Sequence, residues 1–164
     1  MIPTLQGVAH EHHERLMGHV DHLPVLGDRI GSTPVAELAP VVDETATFLT
    51  GLLIPHMEAA ERTLYPELER MLQNRHSMTP MRREHAEIRQ LVDDLLRMQK
   101  DVDAGRLSTG AAVALRRVIF RLYALLKVHL AEEQLYVGII EHGLSAEAAD
   151  VLAAAMEHGG KSEA

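Results

Sequence analysis

The chain contains no cysteine and no tryptophan in 164 residues. Without cysteine there are no disulfides, no iron–sulfur clusters and no thiolate zinc sites. Any metal must be held by nitrogen and oxygen, which points to iron, manganese or zinc rather than copper(I). Cations are also scarce: 16 Lys and Arg stand against 24 Asp and Glu, for a formal net charge of -8. A phosphate backbone needs a cationic surface, so no nucleic acid partner is expected. No apolar run approaches membrane-spanning length, so no membrane partner is expected. The opening MIPTLQGVAHEHH lacks a basic region followed by an apolar stretch, the pattern of a signal peptide. A soluble cytoplasmic protein is the expectation.

What the chain does have is histidine, 11 in all, and helical periodicity throughout. Its length suits a single domain, residues 1–164, able to bury a core without staples. The pattern predicts five helices. The first runs from Leu5 to Leu26 and ends in the Gly27–Gly31 turn. The second starts with Thr33 as cap and Pro34 at the first helical position, and continues to Gln73. Pro40, Pro55 and Pro66 lie within it and predict bends or a break. The third starts at Thr79-Pro80 and ends before Gly105; the fourth runs from Ser108 to near Gly143. A short fifth starts at Ser145 and covers residues 145–158. The fold class is therefore all-α: an antiparallel up-down four-helix bundle, residues 5–141, with an additional short C-terminal fifth helix.

Each long helix carries histidine near the middle of its apolar face. Helix four places Val118, Leu122, Leu125, His129 and Tyr136 on one stripe, with Glu133 one turn after His129. Helix three places Met78, Met81, His85, Ile88, Val92 and Leu95 on one face. On helix one, His12 and His13 straddle a face made by Leu5, Ala9, Leu16, Val20 and Leu23. One of them points inward and the other lies on the flank. On helix two, Leu49, Leu52, Leu53, His56 and Ala60 share a face, and beyond it the apolar face rotates through Met57, Leu64 and Leu68. A π-bulge would produce that rotation and would turn Glu61 inward beside His56, with Glu58 as the alternative carboxylate. The segments LLIPHMEAAERTLYPEL and LLKVHLAEEQLYVGII echo one another, which suggests a pseudo-twofold axis.

Buried imidazole and carboxylate are costly without partners, and a cation removes that cost. Four imidazoles and two carboxylates suit two divalent ions, with the carboxylates placed to bridge. Mixed N/O ligation with open positions favours redox-active iron, although manganese accepts the same donors. Tyr136 and Tyr65 each stand near a candidate carboxylate and could ligate as phenolate. Tyr136 fits the inward stripe better, so Tyr65 is the second choice.

The order H…HxxxxExxLYP…H…HxxxE resembles the hemerythrin-like HHE cation-binding domain, over residues 5 to 141. The resemblance implies a four-helix bundle holding two iron ions as an oxo- or hydroxo-bridged di-iron site. It assigns His13, His56, Glu61, His85, His129 and Glu133 as ligands, with His13 preferred to His12. The chain departs from hemerythrins proper in three ways. No second histidine stands one turn from His85, where the neighbours are Met81 and Arg89; Ala60 stands where the usual glutamate follows His56; and a fifth helix is added. A tyrosine could replace the missing ligand. The combination is similar to that of the stand-alone hemerythrin-like proteins of mycobacteria and related actinobacteria. That likeness implies hydrogen peroxide breakdown, a catalase-like activity in oxidative stress. The competing expectation is a protein that binds O2 or NO, or senses iron, without turnover.

Overall fold

The computed structural model describes residues 5–143 together with 147, 148, 150–152 and 154, with side chains described from His10 onward. Among these residues the regular structure is entirely helical. The elements are α1 (Leu5–Val20), α2 (Leu23–Arg29), α3 (Val35–Phe48), a π-helical turn (Leu49–Leu53), α4 (Ile54–Arg62), α5 (Leu64–Met71), α6 (Thr79–Asp103) and α7 (Thr109–Gly143). The start of the expected fifth helix, Ser145, lies outside the described residues. Those described beyond it are helical, and Leu152 is buried.

Proline decides where the expected long helices break. Pro24 offers no N–H to the Val20 carbonyl, so the first helix ends there and α2 restarts with proline in its first turn. Pro55 likewise cannot donate to the Gly51 carbonyl. The ladder slips by one residue, and the Ile54 N–H donates to the Leu49 carbonyl, five residues back. Pro66 leaves the Arg62 carbonyl without its helical donor. The chain kinks at Thr63 (φ -121, ψ -60), and α5 begins with Pro66 in its first turn. Thr63 stabilises the end of α4 by donating its hydroxyl to the Ala59 carbonyl at 2.8 Å. By contrast α6 and α7 contain no proline past their first turns and run unbroken.

Helix α7 packs against α1, α2, α5 and α6, while α3 packs against α6 and α2. The buried side chains form two apolar clusters. The larger includes Leu16, Leu53, Ile88 and Leu126; the smaller includes Ala60, Tyr65, Met81, Val137 and Ile140. On each of three helices the polar residue falls between the two. His56 separates Leu53 from Ala60, His85 separates Met81 from Ile88, and His129 with Glu133 separates Leu126 from Val137. A polar layer thus divides the core.

One departure concerns apolarity. The helical stretch Val35–Met71 holds a window long and apolar enough to cross a membrane, the one such stretch among the described residues. Its apolar side chains have a use within the bundle: Leu38, Val42, Leu49, Leu53 and Met57 are fully buried in the larger cluster.

Candidate metal centre

The polar layer is built from His12, His13, His56, His85, His129 and Glu133, all buried. Glu133 is completely enclosed. Its Oε2 lies 3.1 Å from His13 Nε2 and 2.8 Å from His56 Nε2. These three side chains converge closely enough to grip one cation. Beside them, His85 Nε2 lies 3.0 Å from His129 Nε2, and the Tyr65 hydroxyl lies 3.0 Å from His85 Nε2. The Glu133 charge is felt by His129 and Tyr65, which joins the two groups electrostatically.

The outward ring nitrogens are held by a different set of residues. His13 Nδ1–H donates to Gln134 Oε1 at 2.9 Å, His85 Nδ1–H to Glu61 Oε1 at 2.7 Å, and His129 Nδ1–H to Glu84 Oε2 at 2.9 Å. Arg89 donates to the same Glu61 oxygen at 3.0 Å. Imidazoles that bind metal through one nitrogen usually donate the other N–H to a carboxylate or carbonyl, which fixes tautomer and orientation.

That arrangement tests whether a cation fits. Burial, then the neighbouring His129, lowers His85 to about 4, so its ring is neutral near pH 7 and carries one N–H. Burial lowers His129 as well. With Nδ1–H facing Glu61 and Glu84, both Nε2 atoms present lone pairs to each other at 3.0 Å. The Tyr65 proton can satisfy only one of them. His13 faces an acceptor from each ring nitrogen, Gln134 Oε1 and Glu133 Oε2. Glu133 Oε1 is buried without any hydrogen-bond partner. Burial alone would raise the Glu133 pKa, but His56 and the hydrogen bonds from His13 and His56 hold it well below the usual carboxylate range. Lone pairs facing lone pairs around a buried anion are what bound cations resolve. The donor set, imidazole with carboxylate and phenol, suits first-row transition ions.

Residues 7–140 match the hemerythrin HHE cation binding domain. The chain belongs to that family. No curated protein and no solved structure matches it significantly. Membership and the convergent His/Glu group together make this hemerythrin-like chain a metal-binding protein.

The hemerythrin-like layer gathers His13, His56, His85, His129 and Glu133 but treats the remaining candidates differently. Glu61 does not enter the layer. The expected π turn exists, but it precedes His56 instead of following it. From Ile54 to Arg62 the helix is regular, so the fifth residue after His56 falls on the flank, and Glu61 reaches only the outer nitrogen of His85. The buried position four after His56 is Ala60. Glu58 is exposed. His12 and His13 are both buried, which corrects the expectation that one of them lies on the flank. The His12 ring stands 4.9 Å from that of His56, with Nε2 unpartnered.

The tyrosines exchange places. Tyr136 is half-buried and packs against the smaller apolar cluster. Of the expected stripe on α7, Val118, Leu122, His129 and Glu133 are buried, but the core face runs through Leu126 and Val137 in place of Leu125 and Tyr136, which leaves Tyr136 on its edge. Tyr65 is fully buried with its hydroxyl on His85, because the kink at Thr63 resets the rotation of α5. Sequence reasoning missed Glu84, Gln134 and Arg89 as partners. Each works across helices, so no spacing within one helix announces it. The adjacency of Glu84 to His85 and of Gln134 to Glu133 was the available signal.

Proposed function

We propose that this hemerythrin-like protein holds two iron ions in the polar layer and uses them to decompose hydrogen peroxide. The observation that carries the reading is the arrangement of ring nitrogens. Four imidazoles offer Nε2 inward, beside one enclosed carboxylate and one phenol. His13, His56 and Glu133 would hold one ion, and His85, His129 and Tyr65 the other. Glu133, the one fully buried carboxylate among the described residues, would supply the anionic donor between the two groups. Glu61, Glu84 and Gln134 would orient the imidazoles from outside. The reading includes an antiparallel four-helix arrangement, a fifth helix after Gly143 and a cytoplasmic setting.

Bound iron would supply a redox couple and open positions for peroxide, O2 or NO. The protein's part is to set charge and exclude water. Burial, followed by the Glu133 charge, pushes the Tyr65 hydroxyl far up, so it stays protonated without a cation. As phenolate it would favour ferric over ferrous iron, which suits peroxide turnover better than reversible O2 carriage. The apolar clusters on either side of the layer limit water entry.

The experiment is iron analysis of protein purified after iron-replete growth, followed by oxygen evolution on adding peroxide. Near two iron ions per chain and oxygen release abolished in Glu133→Ala are expected. Iron without oxygen release, with a stable complex on exposing reduced protein to O2 or NO, would replace the enzyme reading with a binding one. A metal content near zero would end both.

A further inference from the structure

We propose that the groove between α1, α2 and α3 binds a small organic anion with a flat apolar body. The groove has a volume of about 380 Å³, within the size range of small-molecule sites. It lies at the break between α1 and α2, and none of the polar layer's residues lines it.

Charge selects the occupant. Arg15 and Arg29 line the groove, and neither has a carboxylate within ion-pair distance among the described residues. Elsewhere Arg82, Arg89, Arg116 and Arg121 each face an acid: Glu69, Glu61, Asp28 and Glu87. The one acidic side chain in the groove is Glu44. Two guanidiniums that line one groove without a carboxylate partner, on a chain of net charge -8, are a local inversion of sign. Guanidinium binds carboxylate, sulfonate and phosphate groups through paired N–H donors.

Shape selects the rest of the ligand. The His19 ring stacks on Phe48 at 4.6 Å with the planes 14° apart, which offers a flat wall. Leu26 contributes to an apolar floor. An anion of small size, such as phosphate alone, would satisfy the arginines and leave that wall uncovered, whereas a ring system would cover it. The inner end of the groove meets the metal layer. Arg15 Nη2 donates to His12 Nδ1 at 3.3 Å, and His12 lies against His56. An occupant would therefore stand two side chains from a candidate ligand.

The test uses two fluorescent dyes on the full-length protein: 8-anilinonaphthalene-1-sulfonate, and N-phenyl-1-naphthylamine, which has the same ring body without the sulfonate. The expected result is saturable binding of the sulfonate at one site per chain. The double variant Arg15→Gln, Arg29→Gln should weaken it by about tenfold or more, as loss of charge-assisted hydrogen bonds implies. The neutral dye should bind more weakly and be indifferent to the substitutions. Equal affinity for the two dyes, or an unchanged sulfonate affinity in the double variant, overturns the proposal. If the variant folds poorly by circular dichroism, salt titration of the unaltered protein decides. Added salt must weaken the sulfonate selectively, and failure to do so refutes the site. Both dyes report without reference to metal content, so this test can fail while the metal reading stands.

Discussion

Acid should unfold the metal-free protein in a pH range well above that in which carboxylates titrate. Burial first, then His56 and Arg15, lowers His12 from 6.5 to about 4; burial, then His129, does the same to His85. Between those two values the unfolded chain takes up protons that the native chain refuses. Stability therefore falls as pH drops from 6.5 toward 4. A shift of one unit corresponds to about 1.4 kcal/mol, so each ring accounts for roughly 3 kcal/mol across the window and the pair for roughly 6. That is comparable with the whole stability of a typical domain, about 5–15 kcal/mol. His129 acts in the same direction. Glu133 adds a further loss only below the ordinary carboxylate range, since its folded pKa is depressed. Glu84, whose pKa burial raises, acts oppositely and gains as pH falls. The assay is urea unfolding by circular dichroism, after chelation, at steps from pH 7 to 4. His12→Gln should remove about half of the part of the slope that His12 and His85 contribute together. An unfolding midpoint equal at pH 7 and pH 5 would refute the reasoning.

Three further outcomes follow from the same geometry. Removing metal with a chelator should lower the thermal midpoint, because ions that bind only the native state stabilise it by about 4 kcal/mol at a thousandfold excess over Kd. Calorimetry with and without chelator checks this, and identical midpoints would argue against a bound cation. Tyr65→Phe should abolish any phenolate-to-iron absorption band while leaving metal stoichiometry near its original value; Tyr136→Phe should leave the band intact. Pro55→Ala restores an N–H for the Gly51 carbonyl and removes the cause of the π turn. Regular helix there would rotate His56 relative to α3, and metal affinity measured by competition should drop by about tenfold or more, since misplacement near 1 Å is commonly that costly.

Helix α6 was legible from its sequence alone. Met81, His85, Ile88, Val92 and Leu95 were expected inside and are buried, because no proline interrupts the 3.6-residue period. Helix α7 was legible at Val118, Leu122, His129 and Glu133, but Leu125 and Tyr136 were placed on a face that Leu126 and Val137 occupy, and that error exchanged Tyr136 for Tyr65. The stretch from Thr33 to Gln73 was the least legible. Its internal prolines Pro40, Pro55 and Pro66 announced disturbance, yet α3 runs through Pro40 unbroken, and where a slipped ladder closes depends on which carbonyl each proline deprives. For Pro55 that carbonyl lies four residues upstream, so the π turn precedes His56, and Glu61 ends on the flank. The inward donors were visible as polar residues on apolar stripes. The outer partners Glu84, Gln134 and Arg89 were not, since contacts between helices leave no periodicity in one dimension.

The outer hydrogen bonds link helices in series: α4 steadies an imidazole of α6, α6 one of α7, and α7 one of α1. No helix in this chain of supports can turn about its own axis without tilting a ring on its neighbour. Rotational settings of the separate rods are thereby locked to one another, as meshed gears are. Substitutions at Glu61, Glu84 and Gln134 are consequently expected to be non-additive when combined, however far apart they stand along the polypeptide.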